Sequence, residues 1–351
     1  MHTLLLSIPV RLLSSRHRSQ EASDVSQNSQ YRSADLIVER IHGVLGHYPG
    51  YRTLHADGRL YKGHFQAYDI ARQFTRAVHL QGQELPVSVR FSKGGGNPHA
   101  FFNSTVGMAT RFYLEDGRVT NLVMLSQKLF FANTIEQFVE LVNSAQPIAP
   151  GAGPNKAGLD VFLASNPNVM NVFKMRAAAQ APVSFGNTEF HAVHVFRYLN
   201  AAGDLHHVRC HWIPVDGVKG QDTEILTHQS VDVLFLELDE RLKTSPIEFE
   251  LELEIGQPGD PLNDATALWP EDRQRVRIGR LRVTGPTSEQ EIGDRLMNHD
   301  PTMLVDGIEA TDDPILQIRR GVYEASAAQR SGGWQASQAQ AGGRADGTAK
   351  S

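Results

Sequence analysis

The sequence predicts an α+β fold built round an antiparallel β-barrel with flanking helices, on three observations. Residues 247–255 (IEFELELEI) alternate apolar side chains with glutamates at period two, giving one buried and one wet face, the mark of an antiparallel strand. Residues 274–284 (QRVRIGRLRVT) repeat the alternation. Further β-rich stretches follow one another with few intervening helical patterns, so the strand–helix–strand units of a parallel sheet are scarce.

Taken in order, residues 14–33 are polar and serine-rich, which predicts a mobile N-terminal arm over 1–33. Residues 34–44 have helical spacing behind a serine N-cap at Ser33. A second helix is expected over 66–80. Strands are expected over 86–92, 107–114, 120–125, 189–198 and 206–213, with a helix at 134–144 among them. After the two alternating strands a helix is expected from about 314 to 329. Its start, Asp313-Pro314, combines an acidic N-cap with proline at the first helical position. Residues 333–351 are rich in Ala, Gln, Gly and Ser and are expected as a disordered tail, leaving one domain over 34–332.

Composition narrows the function. The 351 residues carry 34 basic and 39 acidic side chains, a formal charge of −5, so no basic excess serves a nucleic-acid surface. One cysteine, Cys210, excludes an intrachain disulfide and any four-cysteine metal site. No run of 18 apolar residues predicts a transmembrane segment. The start MHTLLLSIPVRLL has no basic residue before its apolar stretch, so the default compartment is the cytoplasm. Arginines at 11, 16 and 18 keep an organelle leader open, and the periplasm is not ruled out.

Local motifs are mostly empty. Lys93-Gly-Gly-Gly96 lacks the following Lys-Ser/Thr of a phosphate loop and reads as a turn. His206, His207, Cys210 and His211 have metal-ligand chemistry, but on a strand at most half of them share a face. The final helix is more informative. Arg319 and Tyr323 are four apart and Arg330 lies eleven beyond Arg319, which puts all three on one face. An arginine one turn from a tyrosine favours the phenolate, a hard ligand suited to ferric iron. An amphipathic surface helix with incidental arginines is the plainer reading of the same spacing.

Four segments together resemble one family, the haem catalases, and most of all the small catalase-related (organic peroxide-dependent) peroxidases. They are Arg52-x-x-His55-Ala-x-Gly58 with Gly63 and Phe65, Val89-Arg90-Phe91-Ser92, and the stretch from His194 through Asn200 and His211 to Lys219. The fourth runs from Asp300-Pro301 through Gly307, Asp313 and Arg319 to Tyr323. The resemblance implies the catalase-type barrel without the C-terminal helical domain of full-length catalases, and haem b as cofactor. It implies Tyr323 as iron ligand and Arg319 as its charge partner, held by His211 and Asp313. Arg52, Arg90 and Arg330 would bind the haem propionates, His55 would be the distal acid–base catalyst with Ser92 its partner, and Phe138 would pack on the haem face. Histidine suits that task, because one group must take a peroxide proton and return it.

The resemblance breaks at the distal asparagine, where Leu125, or Lys128 on the alternative alignment, stands instead. Val106 also replaces a frequent arginine. The implied function is therefore a haem peroxidase that consumes hydrogen peroxide or organic hydroperoxides with an external electron donor and has weak or absent catalase activity. Rearrangement of a fatty-acid hydroperoxide, as in allene oxide synthases, and a non-catalytic haem-binding protein are the alternatives. A homo-oligomer is the assembly to test.

Overall fold

A computed structural model of the chain describes residues 34–99, 105–149, 152–294 and 296–345. The arm expected over 1–33 and the last residues of the expected tail lie outside these. Eight antiparallel strands close into a barrel: β1 Gly58–Ala67, β2 Glu84–Lys93, β3 Val106–Tyr113, β4 Val119–Leu125, β6 Phe190–His191, β8 Leu205–Pro214, β10 Ile247–Ile255 and β11 Arg275–Thr287. Pairing of β10 with β8 completes the ring. Two short strands, β7 Phe196–Leu199 and β12 Ile308–Ala310, extend the sheet beyond β8, and β5 Ala181–Pro182 pairs separately with β9 Gly220–Gln221.

Period-two alternation sorts the side chains. Phe91, Met108, Met124, Phe190, Trp212 and Leu251 point inward and are buried in one aromatic and aliphatic core. Their neighbours Arg90 and Ser92 on β2, Gly107 and Ala109 on β3, and Val123 and Leu125 on β4 share the outer face, in register across the three strands. That face is the floor of the functional cavity described below. Helices cover it: α1 at 34–45, α2 Ile135–Ser144, α3 Lys156–Ser165, α4 Pro167–Ala178 and the long α8 Pro314–Ala345. Short α5 Thr223–Thr227, α6 Val233–Leu242 and α7 Glu289–Ile292 lie elsewhere along the chain. Among the described residues no helix is long and apolar enough to cross a membrane.

Several expectations need correction. Residues 66–80 form two 3-10 turns, Asp69–Gln73 and Val78–Leu80, rather than one helix. Their backbone groups pair with distant segments instead: Tyr68 N–H with the Ile278 carbonyl, and Arg76 N–H with that of Leu199. The outer face of β10 is not wet. Glu250 is buried against Tyr68 and Arg280, and Glu254 against His211 and Arg275. Helix α8 continues past residue 329 into the segment expected as tail, in keeping with its alanine and glutamine content. Strand β1 and helices α3, α4 and α6 were not anticipated.

Candidate active site

A cavity of about 440 Å3 lies between the outer face of β2–β4 and α8. His55, Ser92, Arg52, Arg90, Phe138, Arg319, Tyr323 and Arg330 all line it. Eight of the ten residues expected at a site therefore meet in one place, although they span 278 positions of sequence.

His55 and Ser92 sit together. The His55 Nδ1 and Ser92 Oγ atoms are 3.1 Å apart, and the serine hydroxyl also points to the Gly107 carbonyl at 3.5 Å. With that hydroxyl donating to Gly107, Ser92 Oγ accepts from His55 Nδ1–H, which leaves Nε2 as a base. His55 has φ +52°, the one described non-glycine residue at positive φ. A left-handed backbone at such a side chain is strain held in place by its surroundings. Burial first, then the charges of Arg90 and Arg319, push its imidazole down to about 3, so it stays neutral at ordinary pH.

Gly107 makes this pairing possible. A Cβ there would lie 2.9 Å from both His55 Nδ1 and Ser92 Oγ. Gly58 plays the same part for Arg90, whose guanidinium carbon would be 2.4 Å from a Cβ at that position.

Three cations converge at one edge. Arg52 donates to the Met297 carbonyl at 2.9 Å and contacts His299 Nδ1 at 3.1 Å, and Arg330 donates to the same carbonyl at 3.2 Å. Arg90 donates to the Ala56 carbonyl at 3.2 Å. Among the described residues none of the three is in an ion pair. Burial lowers all three below the usual guanidinium range, Arg90 to about 10, and mutual repulsion adds to the shift of Arg52 and Arg90. Half-buried to buried cations packed together with no carboxylate in ion-pair contact call for an anionic ligand. The loop that contacts Arg52 and Arg330 is itself tied down, because Arg111 of β3 pairs with Asp294 and bonds the Asn298 carbonyl.

On the α8 side, Asp313 caps the helix, accepting from the Ile315 and Leu316 amides at 2.9 and 3.3 Å. Its other oxygen is 2.6 Å from Nδ1 of buried His194. His211, expected to share in this relay, is elsewhere. It lies in register with His191 on the outer face of β8, 2.8 Å from His191 Nδ1 and 3.4 Å from Glu254. The histidine that contacts Asp313 is His194, whose chain position between β6 and β7 brings it to the start of α8. Arg319 stacks on Phe130, 5.3 Å from the ring centroid, and makes no hydrogen bond to Tyr323 among the described residues. Phe130 in turn stacks on Phe138 at 5.7 Å. Sequence reasoning missed Phe130, His194, His299 and Gly107; the period-two pattern of β3 was the available signal for the last.

At the distal asparagine position, Leu125 lines the cavity while Lys128 is exposed. The apolar residue is thus the one that faces the site.

A cavity with a histidine–serine pair, a tyrosine and three arginines outside any ion pair among the described residues is suited to an anionic ligand. Comparison with known proteins agrees. The chain matches the family model described as Catalase over residues 47–339. It is 34% identical over 301 residues to a catalase-related peroxidase of Mycolicibacterium paratuberculosis, covering 85% of this chain and 95% of that protein. A catalase-related peroxidase of Synechococcus elongatus is 32% identical, covering 85% and 89%. A catalase of Alkalihalophilus pseudofirmus is 29% identical over 80% of this chain but only 44% of its own length. The chain belongs to the catalase family, a family that implies haem.

Proposed function

We propose that the protein is a haem b peroxidase that reduces hydrogen peroxide or organic hydroperoxides at the expense of an external electron donor, with little catalase activity. The observation that carries this reading is the cavity with His55–Ser92 and Tyr323 on its wall and, at its edge, three arginines that make no ion pair among the described residues. The donor set fits the group: two propionates would satisfy Arg52, Arg90 and Arg330, the apolar walls around Phe130 and Phe138 would take the ring, and the Tyr323 oxygen would reach the iron. Haem bound there would supply the ferric centre at which the peroxide O–O bond is cleaved.

The protein's own part is proton handling and exclusion of water. Neutral His55 Nε2 takes the proton from the near oxygen of the peroxide and returns it to the oxygen that leaves, while Ser92 fixes the ring. Asp313 with His194 anchors the start of the Tyr323 helix, and Arg319 on the same helix packs on Phe130 of the cavity wall. Leu125 in the wall supports the weak catalase activity, because no amide there orients a second hydrogen peroxide.

Loading the protein with haem tests this. Expected are a Soret band at one haem per chain, donor oxidation with both peroxides, and little oxygen release. No uptake would refute the reading. Uptake without peroxide turnover would favour a binding protein, and an unchanged spectrum in Tyr323→Phe would remove the tyrosine from the iron.

A further inference from the structure

A second cleft of about 350 Å3 shares Arg52, Arg90 and Arg330 with the larger cavity and adds Thr287, Glu289 and Asp239. The guanidinium layer is therefore the partition between the two spaces. Asp239 is already committed, accepting from Tyr61 Oη at 2.9 Å and pairing with Arg59 at 3.4 Å. Glu289 is not. Among the described residues its carboxylate has no hydrogen-bond or ion-pair partner, yet its charge acts on all three arginines. Carboxylate and guanidiniums thus face the same space without meeting.

An occupant fitting that gap must give a hydrogen bond to a carboxylate and accept one from a guanidinium. A hydroxyl on an electron-rich carbon framework does both with one oxygen. It would also sit against the arginines that face the cofactor cavity, within reach of the cofactor's edge but outside the cavity that admits peroxide. We propose that this cleft binds the electron donor, and that the donor is a small phenol or enediol that loses an electron to the cofactor and its hydroxyl proton to Glu289. The inference rests on the peroxidase reading. The balance is one hydroperoxide and two donor molecules giving one alcohol, one water and two donor radicals. Each proton accepted by Glu289 passes on to solvent before the second donor binds.

The test uses haem-loaded wild type, Glu289→Gln and Thr287→Trp, the last placing an indole in the cleft. Rapid mixing with peroxide reads the first step, and guaiacol oxidation reads the phenol pathway. Ferrocyanide, which has no proton to lose, reads electron transfer alone, and broadening of the guaiacol ring protons by the resting ferric protein reads binding. Loss of the base in Glu289→Gln should lower kcat/KM for guaiacol at least about tenfold. Ferrocyanide oxidation should be unchanged or faster, since a negative charge has gone. Thr287→Trp should abolish the broadening, and both variants should react with peroxide at the wild-type rate. Wild-type guaiacol oxidation and broadening in both variants would overturn the site. An equal loss with guaiacol and ferrocyanide would overturn the proton role of Glu289. A wild type that binds haem but never reacts with peroxide would instead overturn the peroxidase reading, and the donor role with it.

Discussion

Replacing Gly107 by alanine should disable the site while leaving the barrel folded. The added Cβ would be 2.9 Å from His55 Nδ1, 2.9 Å from Ser92 Oγ and 3.0 Å from His55 Cε1, where ordinary contact begins at 3.4 Å. A displacement of about 0.5 Å is needed, and neither neighbour yields freely. His55 is held at φ +52°, and Ser92, near the end of β2, is paired on both sides, in register with Gly58 and Gly107. Relief would open the 3.1 Å His55–Ser92 contact and leave a buried polar group unpartnered, at a cost of about 1–3 kcal/mol. A catalytic base moved by a good fraction of an ångström would lose on the order of a hundredfold in rate. Stopped-flow mixing of haem-loaded variant and peroxide reads the rate, and thermal unfolding reads the cost. A double-mutant cycle sharpens the result, because in His55→Ala the same alanine should add little further loss of rate. Wild-type reactivity in Gly107→Ala, or full additivity with His55→Ala, would refute the reasoning.

Three further outcomes are expected. Leu125→Asn should raise oxygen release from hydrogen peroxide by about tenfold, by supplying a hydrogen-bonding side chain at the cavity wall, and an oxygen-electrode trace no different from wild type would count against the role of Leu125. Asp313→Ala removes both the α8 cap and the His194 partner, so it should destabilise the fold by about 2–4 kcal/mol and weaken haem retention, as denaturant titration and haem transfer to an apo-acceptor would show. Burial alone lowers His79, which packs beside Phe112, to about 4. The unfolded chain then takes up the proton first, so stability is full above about pH 6.5 and falls as pH drops toward 4, by about 2 kcal/mol at pH 5. His79→Leu should remove that part of the acid sensitivity in urea titrations at pH 7.5 and 5, and an unchanged pH dependence would contradict the assignment.

The alternating strands and the capped final helix were legible in the sequence because period and cap are local properties. Ile247–Ile255 emerges as a strand, and Asp313 caps α8 as its position before Pro314 requires. Arg319, Tyr323 and Arg330 do share a face toward one cavity, as their spacing on a helix dictates. Alternation also fixed which side of β2 carries Arg90 and Ser92.

What alternation could not give was the partner. A strand periodicity says which face a side chain takes, but the residue opposite depends on register between segments far apart in sequence. His211 therefore met His191, while Asp313 was met by His194, 119 positions away. Glu250 and Glu254, polar by pattern, became buried because arginines, a tyrosine and a histidine of other elements close over them. The 66–80 segment gave up its helix because its amides found carbonyls on other strands. Sequence alone thus determined the strands, the faces and the chemical types of the site. Only the closed barrel, by setting register, decided which of those groups stand within a hydrogen bond of one another.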